Sequence, residues 1–236
     1  LLKNRKQNDL WGWWQDSPNI NIPFSTHILE ALQSAKNQGY EVNLDLDELA
    51  KKAVQGLESN AKVNSINLLK ILKSLNAVID YKKYINHFDS MKIRNLNDKL
   101  SLMELKQMCG VTFSLDSLYK YKQTTMFGNV FFKDNKIQSR SYFSYDIINT
   151  LTAYRILRNQ NPTDETLNKI SYYLFNTKKD SYWNTYETAK IAETILPDML
   201  KQNKKFETAT LKIEGTVTKT TDKFPYELKL TSEDKI

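Results

Sequence analysis

The sequence predicts a mainly α fold of paired, repeating helices, followed by a short β-rich C-terminal segment. Three observations carry this. Turn-forming residues are scarce, with 6 Gly and 5 Pro in 236 residues, which favours helices over a many-stranded sandwich. Apolar residues recur at helical spacing from about residue 24 to 200. After residue 206 the pattern changes to strict alternation, the period of a strand.

The helices follow in order. Phe24, Ile28, Ala31, Leu32 and Ala35 share one helical face, and Gly39 stops that helix. Asp45 and Glu48 have the spacing of an N-cap and its carboxylate partner, ahead of the apolar face Leu46, Leu49, Ala50, Ala53, Val54 and Leu57. Leu68, Leu69, Leu72 and Leu75 mark a third helix, and Tyr81, Tyr84, Ile85 and Phe88 a short fourth. Leu102, Leu105 and Cys109 mark another, with Cys109 expected as a small buried residue. A long helix is expected over Phe143 to Leu157. Asn161-Pro162-Thr163-Asp164 reads as the next helix start, with Pro at the first helical position. Asn184 and Glu187 repeat the cap-plus-carboxylate spacing, and Pro197 is expected to kink or end the last helix. Strands are expected over Thr208 to Thr218 and Tyr226 to Thr231. Helical composition ends near Gln202, which divides the chain into a helical-repeat domain, 1–202, and a β-rich segment, 203–236. Some thirty residues of strand do not make a stable domain alone, so the segment is expected to begin a further β domain.

A repeat of about 40 residues underlies the helices. Phe24-Ser25-Thr26, Phe143-Ser144-Tyr145 and Trp183-Asn184-Thr185 each place an aromatic before a small or polar pair, with Leu32, Leu151 and Ile191 eight positions on. A weaker copy is Val63-Asn64-Ser65 with Ile71; the copy expected near residue 103 is blurred. Forty residues hold two helices and two loops, and such pairs bury their apolar faces only by stacking. Stacked pairs run either as an open superhelix or as a closed ring, and the period alone does not choose.

Two segments bear on that choice. Asp9-Leu10-Trp11-Gly12-Trp13-Trp14 followed by Ser25-Thr26-His27-Ile28-Leu29-Glu30-Ala31-Leu32, and Tyr182-Trp183-Asn184-Thr185-Tyr186-Glu187-Thr188-Ala189, resemble the α/α-toroid domain of bacterial alpha-2-macroglobulin-like proteins. The resemblance covers about two-thirds of the chain. It implies a closed α/α-toroid, a following β-sandwich domain, and a non-enzymatic role in trapping proteases or in envelope defence, in the periplasm or at the cell surface. The implied partners are other domains of the same chain and target proteases. The departures are specific. The family's Asp-Gly-Gly-Trp-type turn is altered to Asp9-Leu10-Trp11-Gly12. Its reactive Cys-Gly-Glu-Gln motif is not matched by Cys109-Gly110-Val111-Thr112, so any thioester would lie upstream of Leu1. The chain begins with Leu1 and reads as a piece of something longer.

Composition narrows the remaining classes. The net charge is +7, but the basic residues come in scattered pairs such as Lys51–Lys52 and Lys82–Lys83, which suits solvated helix faces better than a nucleic-acid groove. Lys120, Lys122, Lys133 and Lys136 interleave with Tyr119, Tyr121, Phe131 and Phe132, a pattern that binds single strands in some proteins but here reads as solvated lysines. No apolar run is long enough to span a bilayer. One cysteine, Cys109, excludes an internal disulfide, and His27 and His87 share no metal-ligand spacing with it. Asp45-Leu46-Asp47-Glu48 has the look of a terpene-cyclase acid, but that chemistry needs a buried, raised-pKa carboxyl, and the segment reads as a helix start. Trp11, Trp13, Trp14 and Trp183 read as packing aromatics, with a sugar or peptide surface as the alternative. The sequence therefore leads to no catalytic, cofactor or metal residues. A toroid enzyme acting on terpenoids or polysaccharides stays open if a deep central cavity exists. An open helical-repeat interaction module stays open if the ends of the array stand apart.

Overall fold

The computed structural model describes residues 10–14, 19–59, 65–91, 93, 95–134, 145–180, 185–201, 210–214, 218–223 and 226–227. The chain divides into two compact units, Leu1–Thr194 and Ile195–Ile236. In chain order the elements are α1 (Ile22–Asn37), α2 (Leu46–Ser59), α3 (Ile66–Ser74), α4 (Tyr81–Ser90), α5 (Leu96–Met108), α6 (Asp116–Tyr119), β1 (Lys122–Thr124), β2 (Val130–Phe132), α7 (Asp146–Gln160), α8 (Glu165–Asp180), α9 (Thr185–Lys201), β3 (Leu211–Ile213) and β4 (Lys219–Thr221). The protein is mainly helical, as the periodicity predicts.

Local chemistry accounts for most helix boundaries. Side-chain oxygens take up the N–H groups that a helix start leaves without partners: Asn21 accepts from the Phe24 N–H at 2.9 Å, Ser65 from Leu68 at 3.2 Å, Asp80 from Lys83 at 3.1 Å, and Asn95 from Asp98 at 2.7 Å. Asp45 caps α2, accepting from the Asp47 and Glu48 N–H groups at 3.0 Å. The Glu48 carboxylate pairs with Lys52 one turn on, at 3.1 Å. Gly39 ends α1 in the left-handed region at φ +83°, and the Tyr40 N–H reaches back to the Ala35 carbonyl at 3.0 Å. That geometry is cheap for glycine alone. Two expected boundaries are corrected. Pro162 lies in a turn, and α8 begins three residues later, at Glu165, behind an Asp164 cap that accepts from the Thr166 N–H at 2.8 Å. Of the kink or end expected at Pro197, the end is excluded: α9 runs through it to Lys201.

In the first unit the odd-numbered helices run parallel. Their cross-contacts keep register as both partners advance. Asn67 and Lys70 of α3 meet Ser101 and Glu104 of α5. Asn97, Glu104 and Gln107 of α5 meet Asn149, Arg155 and Ile156 of α7. Glu30 and Ser34 of α1 meet Lys190 and Glu193 of α9. Helices α1 and α3 are also in contact, and Arg158 of α7 donates to the Thr194 carbonyl of α9 at 3.4 Å. The contacts thus form a closed circuit, α1–α3–α5–α7–α9–α1. The even-numbered helices return the chain: α2 packs on α1 and α3, α4 on α5, and α8 on α7.

Between α5 and α7 the returning element is not one long helix. It is the single turn of α6 and an antiparallel hairpin in which Lys122 pairs with Phe132 and Thr124 with Val130. Helical periodicity was expected across this stretch, so the hairpin is a correction. Its signal was present: Gly128 turns at φ +79° between two short runs rich in β-branched and aromatic residues. Val130 and Phe132 are buried, the Phe132 N–H donates to Thr150 of α7, and Phe131 stacks on Tyr173 of α8 at 4.8 Å.

The main apolar core lies between odd and even helices. Leu29, Leu49, Leu68, Leu69, Leu72, Ile85 and Leu105 are almost fully buried there, and Leu10 and Trp11 close the same cluster. Trp11 is held by its backbone: its N–H donates to Ser25 Oγ at 3.0 Å, and its carbonyl accepts from Ser25 Oγ and the Asn21 N–H. A second buried group, with Ile156, Leu157, Ile170 and Leu174, accompanies α7 and α8.

The odd helices start at Ile22, Ile66, Leu96, Asp146 and Thr185, at intervals of 44, 30, 50 and 39 residues. This explains the blurred copy near residue 103. The third unit begins early, at Leu96, and is lengthened by the hairpin, so the later copies return to phase. Ser65, Tyr145 and Thr185 do sit at helix starts, but the first copy is out of place: Phe24, Ser25 and Thr26 lie inside α1, which Asn21 caps. Val63, Asn64, Phe143, Ser144, Trp183 and Asn184 lie outside the described residues.

In the second unit, β3 and β4 form an antiparallel hairpin with Leu211 opposite Thr221 and Ile213 opposite Lys219. The first expected strand overlaps β3, and its partner is 219–221. Tyr226 and Glu227 are not in a strand, and 228–231 lie outside the described residues.

Candidate functional site

The odd helices each carry a second, polar stripe, opposite in character to the apolar one. Thr26, Glu30 and Ser34 recur on α1, Asn67 and Lys70 on α3, Asn97, Ser101 and Glu104 on α5, Thr152 and Arg155 on α7, and Tyr186, Lys190 and Glu193 on α9. Spacings of three and four put each set on one helix face. These stripes line an open cavity of about 780 Å³ to which all five helices contribute. Glu104 is joined to it through Lys70 and Arg155, both of which line it.

Two ion clusters brace its wall. In the first, Glu104 receives Arg155 through Nε–Oε1 and Nη2–Oε2 contacts of 2.5 and 3.1 Å, and Lys70 Nζ at 2.6 Å. Burial alone raises the pKa of a carboxyl; here the Lys70 and Arg155 charges outweigh it and hold Glu104 down at about 2. Arg155, which also donates to Thr152 Oγ1 at 3.1 Å, keeps its proton more firmly than usual because the Glu104 charge overcomes its desolvation. In the second cluster Lys190 bridges Glu30 and Glu193, each at 2.9 Å, and Ser34 Oγ donates to Glu193 at 2.6 Å. His27 Nδ1 stands 3.7 Å from Glu30, and its ring meets Tyr186 edge-on at 5.8 Å. Glu30 too is held down at about 2: desolvation pushes it up, and the neighbouring His27 and Lys190 more than reverse this. The neighbouring Glu30 carboxylate is the main cause that raises His27.

A carboxyl held near 2 is ionised at neutral pH and a poor proton acceptor. Neither Glu30 nor Glu104 is tuned for general acid or base work, which needs a pKa near the working pH. Sequence reasoning missed the whole cavity wall. Lys70, Glu104 and Arg155 are 34 and 51 residues apart, so no local spacing announces them. The available signal was the polar stripe beside the apolar one on each odd helix.

The residues singled out from sequence fall elsewhere. Asp45, Asp47 and Glu48 are exposed at the start of α2, away from any buried acid pocket. Cys109 is not buried in a helix; it is the half-buried C-cap of α5, its thiol pushed up by desolvation. His27 lies at the α1–α9 contact and His87 in the last turn of α4. Among the described residues no group of three or more His, Cys, Asp or Glu is placed to hold a metal ion. Trp11 is buried, while Trp13 and Trp14 are exposed, Trp13 packing on Phe24 at 5.3 Å; Trp183 lies outside the described residues. Around the hairpin, Tyr119 bonds Asp164, Tyr121 takes a bond from Lys99, and Lys133 pairs with Asp146. Lys136 lies outside the described residues. No described helix is long and apolar enough to cross a membrane.

No family model, curated protein or solved structure matches this chain.

Proposed function

We propose that residues 1–202 form an α/α-toroid without catalytic function, serving an alpha-2-macroglobulin-like protein of the bacterial cell envelope that traps or inhibits proteases. The single observation that carries the toroid is the circuit of parallel helices closed by Lys190–Glu30 and Ser34–Glu193 between α9 and α1. An open repeat module would leave its first and last helices apart. The altered Trp motif supports the same reading, since Trp11 is the buried peg that ties the leading segment to α1 through Ser25.

A toroid enzyme is the second reading, favoured by the cavity and its Tyr145, Tyr186 and Glu lining. It is weakened by the depressed pKa of Glu30 and Glu104, because a cyclase acid requires the opposite shift. In the first reading the toroid docks on neighbouring domains of its own chain and moves when a bait segment is cut. The test is to express the gene's whole product and expose it to a broad-specificity protease. Protease that stays bound, active on small peptides and blocked towards protein substrates, is the expected result. Free and fully active protease sinks the proposal.

A further inference from the structure

Hydrogen-bonding capacity around the cavity is lopsided. Five of the six carboxylate oxygens are in close contact with donors. Lys190 takes Oε1 of Glu30 at 2.9 Å, Ser34 and Lys190 take those of Glu193, and Arg155 and Lys70 those of Glu104. Oε2 of Glu30 has only His27 Nδ1 near it, at 3.7 Å. Donors are left over. Arg155 uses Nε and Nη2, and its Nη1 has no hydrogen bond among the described residues. Asn67 accepts at Oδ1 from Ser101 at 3.2 Å, and its Nδ2 has no hydrogen bond among the described residues. Tyr145 and Tyr186 line the cavity, and their hydroxyls make no hydrogen bond to any described residue.

We infer that this cavity is a binding site for an organic carboxylate with an apolar body. An arginine amino group, a side-chain amide and two phenols are donors that a carboxylate's two acceptor oxygens satisfy. The parallel arrangement adds to this: Tyr145 and Tyr186 stand at the N-terminal ends of α7 and α9, and the other three odd helices present their positive ends on the same side. Ala31, Ile71, Ile148 and Leu151 supply apolar wall for the rest of the ligand, and about 780 Å³ lies within the usual range of small-molecule sites. Three carboxylates close by penalise a dianion such as phosphate more than a singly charged head group. Such a ligand does not depend on the protease-trapping reading.

The test is calorimetric titration and thermal melting of the full 236-residue chain with 4-phenylbutyrate and hexanoate, beside their neutral amides and inorganic phosphate. The carboxylates are expected to bind saturably at one site, and the amides at least about tenfold more weakly. At ten times Kd the ligand raises the apparent folding constant about elevenfold, and Tm by about 3–6 °C. Tyr186→Phe and Asn67→Leu each remove a donor while leaving every ion pair intact. Each is expected to weaken the carboxylate about fivefold or more without changing the amide's affinity. Tyr186→Phe leaves the ligand-free melt unchanged, whereas Asn67→Leu lowers it because buried Ser101 loses its acceptor. Equal binding of acid and amide, phosphate binding as tightly as the acids, no saturation by about 20 mM, or unchanged affinity in both variants overturns the inference.

Discussion

The two faces of the odd helices solve the problem of burial in opposite ways. Towards the even helices they present leucines, and Leu69, Leu72 and Leu105 are sealed without any polar partner to arrange. Burying such a side chain stabilises the fold by about 1.5–3 kcal/mol, and its neighbours need only fit. Towards the cavity the same helices present charges, and each charge depends on particular partners from other helices. Glu104 on α5 needs Lys70 on α3 and Arg155 on α7. The apolar face is therefore tolerant and locally specified, while the cavity face is demanding and holds only when all five helices are in place. A buried ion cluster is weak evidence for stability, because desolvation offsets much of its attraction.

The sharpest way to break this comparison is Glu104→Gln. It leaves Lys70 and Arg155 facing one another without a counter-charge, and a loss of about 3–5 kcal/mol is expected in urea denaturation. The triple change Lys70→Met, Glu104→Leu, Arg155→Met should restore stability to the parent level or above; a triple variant as unstable as Glu104→Gln would show that the ions stabilise in their own right. On the apolar face Leu105→Ala should cost about 2–5 kcal/mol, with no partner change that rescues it short of refilling the cavity.

Acid separates the two faces next. Glu104 and Glu30 have folded pKa values of about 2, below the ordinary carboxyl value. Their contribution is complete above about pH 4.5 and is lost as pH falls towards 2, on the order of 3 kcal/mol for Glu104 and less for the more exposed Glu30. A Tm that falls steeply between pH 5 and 2 in the parent and less steeply in the triple variant, which keeps Glu30, is expected. His27 acts in the opposite direction. Its raised pKa supplies stability that is present in acid and lost as pH rises through the folded value, and the side chain's 62% exposure keeps the effect small. The smallest effect belongs to neither face: Asp45→Ala should cost about 1 kcal/mol through the lost cap of α2, and a loss several times larger would return that acidic segment to consideration as a site.

How much was legible divides along the same line. Helix positions could be read because the apolar period and caps such as Asp45 are local, encoded within four residues. The caps at Asn21, Asp80 and Asn95 are equally local but were not read. The hairpin at 122–132 was overlooked because its two strands are three residues each, too short to compete with the helical pattern on either side. The start of α8 was misplaced because Pro162 suits a turn as well as a first helical turn, and Asp164 was the better cap.

The sequence by itself determined that this protein is mainly helical, that its helices come in pairs, and that alternation replaces helical periodicity near the C-terminus. Those features follow from side-chain periodicity and backbone caps, which act over short stretches of chain. Only the tertiary structure decided that five odd helices run parallel and close on one another, and that Glu104 meets Lys70 and Arg155. Ionic contacts across 34 and 51 residues leave no trace in local spacing. A polar stripe on a helix looks the same in sequence whether it faces solvent or lines a cavity; only the neighbouring helices make the difference.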